Sequence, residues 1–296
     1  MNASPLDGLL VLDKPGGVTS RDAVDRALRW FPRRTRIGHT GTLDPLATGV
    51  LVLCLGAATR LAEYVQRMAK TYRAGLRLGA RSDTDDADGT VTPVASATPP
   101  AAAEVAAALS SFVGAIDQTP PAYSAAKTAG RRAYDLARQG QEVDLRPRKV
   151  QIYCIYVLNC DYPRLELEVR CGKGTYIRSL ARDLGERLGC GALVQTLRRT
   201  RVGPFAVEDA VPLDADATAA RSRLRPMEEA VAELPRVKLA DGEIRRLCQG
   251  QAISLAQGAG SGGEAAVFDE AGRLAATAAW DAERRVLRPD KVLRAV

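Results

Sequence analysis

One segment constrains this chain more than any other: GHTGTLDPLATGVLVL, residues 38–53. Pro45 has no backbone N–H and disfavours helical geometry at the residue before it, so we expect Asp44 to lie in a turn. The apolar run at residues 50–55 predicts a buried strand directly after that turn. The segment therefore predicts a carboxylate on a rigid loop beside a core strand, where a catalytic group would be placed.

The residues of this loop are consistent with a catalytic role and equally with a purely structural one. An aspartate before proline commonly closes a turn through its own side chain, and His39 is equally consistent with a surface or capping residue. His39 is the only histidine of the chain, and the six cysteines include no Cys-x-x-Cys pair. The sequence thus lacks the residue sets of a Ser–His–Asp triad or a zinc site, and we expect no metal.

The composition indicates a soluble protein with one large and one small domain. The chain has 296 residues, of which 46% are hydrophobic and 26% charged, with a net charge of +7. The positive charge comes mainly from arginine, which suits RNA but is not specific to it. No signal peptide or membrane span is expected, since the N-terminal apolar run is too short. Unpaired cysteines indicate reduced thiols and a cytoplasmic location.

Hydrophobic periodicity predicts an α+β fold. Strands are predicted at residues 8–13, 71–78, 149–158 and 165–171. Four helices are predicted: one that begins at Thr19 with a capping box, one over residues 59–68, one over residues 104–113, and one that opens at residues 172–175 and runs to Leu188. These elements lack a regular βαβ alternation, so the large domain is not a doubly wound sheet. Residues 212–233 are expected to be a linker. The short apolar stretches from Pro235 onward predict a small β-barrel-like module.

Two charged segments leave their roles open. Residues 127–149 carry seven basic and three acidic side chains, a net charge of +4, with Tyr123 and Tyr134 nearby. This composition is typical of an RNA-clasping arm and equally of a solvated surface helix. The acidic loop, which we define as residues 83–89, is expected to be a solvated turn, with a metal site as the alternative.

Arg178 lies in the first turn of a predicted helix, the unfavourable end for a cation in the field of the helix dipole. This position predicts a fixed anionic partner for the guanidinium. Asp44 and an RNA phosphate are the two candidates.

Several motifs in the same order along the chain resemble a known family. They are LLVLDKPGGVTS (9–20), residues 38–53, KTYRAGLRLG (70–79), PPAYSAAKTAGRRAYDLARQG (120–140), CGKGTYIRSLARDLGERLG (171–189) and LRRTRVGPF (197–205). Together they resemble the bacterial tRNA pseudouridine synthase B family, and the similarity spans residues 8 to about 212. The end of the chain resembles the PUA module of that family less closely, because of an insertion at residues 258–263.

The resemblance implies an architecture and a reaction. It implies a mixed-sheet catalytic domain over residues 1–232 with a thumb inserted at about 120–149, and a PUA-like RNA-binding domain over residues 233–296. The implied enzyme flips uridine 55 out of the T loop of tRNA, cleaves its C1′–N1 bond and rejoins the base through C5, with no cofactor or metal. We expect a monomer that binds the tRNA T stem-loop without a protein partner or a membrane.

The resemblance also assigns site residues. It places the catalytic aspartate on Asp44, its arginine partner on Arg178, and an active-site tyrosine on Tyr72. Further substrate contacts fall on His39, Tyr176 and Leu197, although Tyr72 and Leu197 are also consistent with core packing. The residues predicted to contact RNA phosphates are Lys14, Lys127, Arg131, Arg132, Arg198 and Arg199.

Two other functions remain as alternatives. A non-catalytic tRNA-binding or folding protein would keep the same basic surface and not need Asp44. A nucleoside hydrolase or glycosidase would use Asp44, but such enzymes need a second carboxylate or a metal, and the sequence shows no mate near Asp44.

Overall fold

A computed structural model of the protein describes residues 6–95, 98–124, 127–128, 131–132, 134, 139, 145–255 and 262–293. The described residues contain a ten-stranded sheet, a five-stranded sheet and two small two-stranded sheets. The large sheet mixes parallel and antiparallel pairs and carries helices, which confirms the predicted α+β class.

The strands are β1 (Gly8–Lys14), β2 (Ile37–His39), β3 (Thr48–Leu55), β4 (Lys70–Leu78), β5 (Ala80–Ser82), β6 (Val91–Pro93), β7 (Gly114–Gln118), β8 (Lys127–Thr128), β9 (Arg131–Arg132), β10 (Arg148–Asp161), β11 (Arg164–Cys171), β12 (Ala192–Val202), β13 (Phe205–Ala206), β14 (Val211–Pro212), β15 (Arg236–Lys238), β16 (Ile253–Ser254), β17 (Gly263–Phe268), β18 (Leu274–Asp281) and β19 (Val286–Val292). The α-helices of the described residues are α1 (Ser20–Ala27), α2 (Ala62–Arg67), α3 (Ala102–Ser110), α4 (Ile177–Arg187), α5 (Ala217–Ser222) and α6 (Asp241–Cys248). Within the described ranges, four 3-10 helices cover Leu28–Trp30, Gly56–Leu61, Val207–Asp209 and Met227–Val231.

The large sheet has the strand order β14-β1-β3-β12-β4-β11-β10-β7, with β2 paired to β3 and β13 to β12. Strand β4 shows how its sequence produces it. Tyr72, Ala74, Leu76 and Leu78 are buried on one face, as the alternation predicts, whereas the arginines between them are exposed. The predicted hairpin of β10 and β11 is also present.

Helix α1 begins where the sequence predicts it, whereas α4 begins at Ile177, after the turn at residues 172–175, and α3 begins at Ala102, before residue 104. Thr19 caps α1 with the predicted capping box: its hydroxyl accepts the Asp22 N–H, and the Asp22 carboxylate accepts the Thr19 N–H. Helix α4 packs Leu180 and Leu184 into the main core. The predicted helix over residues 59–68 is α-helical only from Ala62, because the turn before it is a 3-10 helix.

Two regions differ from their predictions. Residues 212–233 are not a free linker: α5 and a 3-10 helix bury Ala220 and Met227, and Arg225 exchanges backbone hydrogen bonds with Leu9 at 2.8 and 2.9 Å. Their small apolar residues recur at helical spacing, which the composition of the segment obscures. In the C-terminal part, α6 lies among the strands and buries Ile244 and Leu247, so the module is not built of strands alone.

The five-stranded sheet has the order β15-β17-β18-β19-β16 and its own hydrophobic cluster around Trp280. The predicted insertion at 258–263 falls partly outside the described residues. Within the part of the chain that is described, no helix is both long and apolar enough to cross a membrane.

Candidate active site

The Asp44 loop connects β2 to β3 and is held on both sides of the aspartate. The Ser20 hydroxyl accepts the Leu43 N–H at 2.8 Å and donates to the Leu43 carbonyl at 3.0 Å. On the other side, the Pro45 carbonyl accepts the Gly17 N–H at 2.9 Å and the Lys14 ammonium at 3.3 Å. These bonds fix the backbone from which the Asp44 carboxylate extends.

Arg178 pairs with Asp44, so the predicted anionic partner of this first-turn arginine is present. The Arg178 Nε lies 2.9 Å from Asp44 Oδ2. The guanidinium is nearly inaccessible to solvent, and its other nitrogens donate to the Thr84 carbonyl at 2.9 Å and the Tyr123 carbonyl at 2.8 Å. A buried fork with this many partners has one orientation, which fixes the side chain that it holds.

Asp86 is a second carboxylate on Arg178, and it is not among the site residues predicted from the sequence. Its Oδ2 lies 3.3 Å from Arg178 NH1, and its Oδ1 accepts the Thr84 hydroxyl at 2.6 Å and the Asp88 N–H at 3.1 Å. Asp86 is buried, so the expectation of a solvated turn is wrong at this residue. One signal was available in the sequence: an arginine has five donors, more than the single predicted partner Asp44 can satisfy. Among the described residues no acidic, cysteine or histidine cluster suits a metal.

The electrostatics of Asp44 differ from the simple expectation that a nearby arginine lowers its pKa. Burial raises the pKa of Asp44 above its usual value, and this outweighs the opposing effect of Arg178. The charge of Asp86 raises the pKa further. Because 34% of the Asp44 side chain is exposed, the carboxylate still reaches the solvent of the adjacent cavity.

That cavity has a volume of about 700 Å³ and brings the predicted pocket residues together. It is lined by His39, Asp44, Tyr72, Tyr176, Arg178 and Leu197, and also by Gln66, Lys70, Lys173 and Arg199. Its size is that of a small-molecule site. It combines a carboxylate, cationic groups and an apolar wall, which suits a planar polar base attached to a sugar.

Tyr72 and Leu197 belong to both the core and the cavity. Each is less than a tenth exposed and packs in the main hydrophobic cluster, while each also lines the cavity. Burial raises the pKa of the Tyr72 phenol, so it stays protonated over a wide pH range. Its hydroxyl lies 3.5 Å from Arg199 NH1.

His39 and Tyr176 lie at the ends of secondary-structure elements. His39 ends β2 and lines both the main cavity and a neighbouring cavity of about 440 Å³, which also contacts Asp44 and Arg178. Tyr176 precedes α4. Its N–H and carbonyl are both bound by the Gln118 side chain, at 2.8 and 3.0 Å.

Two residues predicted to contact phosphates have structural roles instead. Lys14 is completely buried, and its ammonium donates to the Pro15, Val18 and Pro45 carbonyls, so no donor is left for RNA. Arg199 is also buried. It donates to the Val50 carbonyl at 2.7 Å and the Gly41 carbonyl at 3.1 Å, which ties β12 to the Asp44 loop.

The other predicted phosphate contacts have different outcomes. Arg198 is 41% exposed and pairs with Asp13 at 2.7 Å, so its charge is partly compensated, and its contact with RNA stays a prediction. The side chains of Lys127, Arg131 and Arg132 lie outside the described part of the chain, as do 14 of the 30 residues of the predicted thumb at 120–149.

Family models cover this architecture almost from end to end. The model described as TruB family pseudouridylate synthase (N terminal domain) matches residues 29–177, which include the Asp44 loop. A tRNA pseudouridylate synthase B C-terminal domain matches residues 178–232, and a Pseudouridine synthase II TruB, C-terminal model matches residues 235–293. The chain belongs to the TruB family. The family resemblance inferred from the sequence is thereby confirmed.

TruB-family relatives match over almost the whole chain. The tRNA pseudouridine synthase B of Burkholderia mallei is 43% identical over 97% of this chain and 97% of its own length. The tRNA pseudouridine synthase B of Xanthomonas oryzae pv. oryzae is 43% identical over 95% of this chain and 92% of its own length. The tRNA pseudouridine synthase B of Chromohalobacter salexigens is 43% identical over 85% of this chain and 83% of its own length.

Solved structures show the same fold at lower identity. A chain in the structure of an H/ACA RNP bound to a substrate RNA containing 2′-deoxyuridine is 24% identical, with a TM-score of 0.73 over 97% of this chain and 85% of that chain. A chain of a Cbf5-Nop10-Gar1 complex is 25% identical, with a TM-score of 0.75 over 98% of this chain and 86% of that chain. These neighbours confirm the predicted pseudouridine synthase fold with a PUA-like C-terminal module.

Proposed function

We propose that this protein isomerises uridine 55 in the T loop of tRNA to pseudouridine. The observation that carries the proposal is the Asp44 carboxylate, held by Arg178 at 2.9 Å at the wall of a cavity that also contains Tyr72. Membership of the TruB family and relatives named tRNA pseudouridine synthase B support the same reaction.

The reaction breaks the C1′–N1 bond and forms a C1′–C5 bond. C5 loses its proton and N1 gains one, so atoms balance, and the reaction involves no net oxidation or reduction. An ionised Asp44 acts on the sugar, either attacking C1′ or taking the C2′ proton while the base leaves. Arg178 orients this carboxylate and favours its ionised form. Tyr72 stacks on the detached uracil, and its protonated hydroxyl takes part in removal of the C5 proton as a relay and not as a phenolate base.

The substrate base must leave its stack before it can reach Asp44. Extrusion of a stacked nucleotide costs a few kcal/mol, and the cavity repays this by enclosing the base. RNA sequence is read mainly in unpaired loops, because side chains do not fit the A-form major groove. In this proposal His39 supports the flipped nucleotide or the vacated loop, Tyr176 contacts the base or ribose, and Leu197 forms the apolar wall.

The proposal includes how the chain is organised around the RNA. Residues 1–232 form the catalytic domain with a thumb at about 120–149, and residues 233–296 form the PUA-like domain. Support comes from the separate sheet and hydrophobic cluster of the C-terminal part. The protein acts in the cytoplasm as a monomer without a protein partner. Arg198, Lys127, Arg131 and Arg132 contact phosphates.

A transcript assay tests this function. Wild-type protein is incubated with unmodified tRNA that carries 5-tritiated uridine, and with a matched tRNA in which uridine 55 is replaced by cytidine. We expect one equivalent of tritium released from the first and none from the second. Tight binding of both tRNAs without release would instead favour a non-catalytic tRNA-binding or folding protein.

A further inference from the structure

A second arginine–aspartate pair lies one helical turn behind the ion pairs of the active site. Arg178 and Arg182 are four residues apart on α4, so both extend from the same face of the helix. Arg178 meets Asp86 at 3.3 Å, and Arg182 meets Asp85 at 3.1 Å. Two adjacent carboxylates of the acidic loop therefore contact two successive turns of one helix.

The backbone of the acidic loop is shaped for this double contact. Asp85 has a φ of 60°, in the left-handed region that few residues other than glycine adopt. In an extended chain, neighbouring side chains would diverge to opposite faces. The left-handed turn lets Asp85 and Asp86 reach the same helix. The Asp85 carbonyl accepts the Val194 N–H at 3.1 Å, and the Val194 carbonyl accepts the Ala87 N–H at 2.9 Å, so two backbone bonds hold the turn against β12.

Arg182 also attaches the segment that leads into the predicted thumb. It donates to the Thr119 carbonyl at 3.0 Å, and the Ser179 hydroxyl donates to the same carbonyl at 2.7 Å. Arg178 bonds the Tyr123 carbonyl in the same way. The acidic loop and residues 119–123 are thus fixed to the first two turns of α4 by the same two arginines.

Asp183 contributes to the balance of charge at this pair. Its carboxylate lies 2.8 Å from Arg182 NH2, so Arg182 keeps an anionic partner if Asp85 is neutralised. Asparagine also tolerates the left-handed conformation. Asp85→Asn therefore removes one charge while keeping the turn and leaving Arg182 paired.

We infer that Arg182 and Asp85 are positioning residues for the isomerisation: they hold the acidic loop so that Asp86 reaches Arg178, which in turn places Asp44. This inference rests on the proposed function. Neither residue lines the main cavity, and the Ser179 hydroxyl keeps its bond to the Thr119 carbonyl when Arg182 is replaced. The pair therefore acts on the geometry of the carboxylate and leaves RNA binding unchanged. Loss of the pair should lower the rate of the chemical step without weakening affinity.

The test compares Asp85→Asn and Arg182→Gln with a control ion pair outside the site. Arg225→Met is the control, because Arg225 pairs with Glu229 at 2.8 Å and is 28% exposed, close to the 25% of Arg182. For each protein we would measure the single-turnover rate of tritium release, the Kd for tRNA and the Tm. We expect Asp85→Asn and Arg182→Gln to lower the rate about 10- to 100-fold. The Kd should stay within about twofold of wild type, and Arg225→Met should keep the wild-type rate.

Two further variants complete the design. The double variant should be no slower than the slower single variant, because both changes break the same contact. Arg182→Lys keeps the positive charge but loses the guanidinium fork that reaches both Asp85 and Thr119, so its rate should lie between those of Arg182→Gln and wild type. It also provides a folded variant if Arg182→Gln does not fold.

Three results would overturn the inference: a wild-type rate in Asp85→Asn, a loss matched by Arg225→Met, or a loss confined to affinity. Absence of tritium release from wild-type protein would overturn the proposed function instead, and the positioning role with it.

Discussion

Replacing Arg178 with methionine tests how the ion pairs of the active site act in folding and in catalysis. The substitution leaves Asp86 buried without its cation, and removes the donors of the Thr84 and Tyr123 carbonyls. Breaking a buried charge pair by removing one partner costs about 3–5 kcal/mol, because the remaining charge stays desolvated. Asp44 contributes less to this cost, since 34% of its side chain reaches solvent. We expect the free energy of unfolding to fall by about 3–5 kcal/mol.

Adding Asp86→Asn to Arg178→Met separates the two roles. The second change removes the unpaired buried charge, so it should restore roughly 2 kcal/mol of the free energy of unfolding. It does not return a cation to Asp44, so tritium release should stay at the level of Arg178→Met. Denaturant unfolding and single-turnover release measure the two quantities on the same preparations, with Asp86→Asn alone as the control. A double variant as unstable as Arg178→Met, or one that regains activity, would contradict this separation of the two roles.

Three more predictions follow from the buried titratable groups. Burial and the Asp86 charge raise the pKa of Asp44, so on acidification activity should fall at a pH above the pKa of a free aspartate. Asp86→Asn removes one of these causes, so the acid limb of the kcat–pH profile should move to lower pH. A move to higher pH would contradict this. Burial lowers the pKa of Lys14 to about 8, so between about pH 8 and 10.5 the unfolded chain binds the proton that the folded chain has lost. The free energy of unfolding of wild type relative to Lys14→Met should therefore rise across that window, and a flat difference in pH-dependent denaturation would argue against it. Tyr72→Phe keeps the buried ring and removes the hydroxyl, so the Tm should change little while tritium release slows; an unchanged rate would assign Tyr72 to packing alone.

Local sequence signals predicted the parts of the site whose cause lies nearby in the chain. Pro45 and the apolar run after it placed Asp44 on a loop before a strand, and the structure has β3 there. The position of Arg178 in the first turn of a helix required an anion, and Asp44 supplies it. In both cases the physical reason is contained within a few residues.

Whether a charged side chain is buried cannot be predicted from its charge alone, and this explains the site residues whose environment was predicted wrongly. Lys14 and Arg199 carry the charge of a phosphate contact, but backbone carbonyls from separate segments surround them. Asp86 resembled a solvated residue of an acidic tract, because the helix that buries it lies far away in the sequence. Each of these environments is created by the tertiary fold.

The central claim is that the Asp44 carboxylate performs the chemistry. Its most direct test is tritium release from 5-tritiated tRNA by wild type and Asp44→Asn, with Asp209→Asn as a control outside the cavity. We expect stoichiometric release by wild type and Asp209→Asn, and tRNA binding without release by Asp44→Asn. Release by Asp44→Asn at the wild-type rate would contradict it.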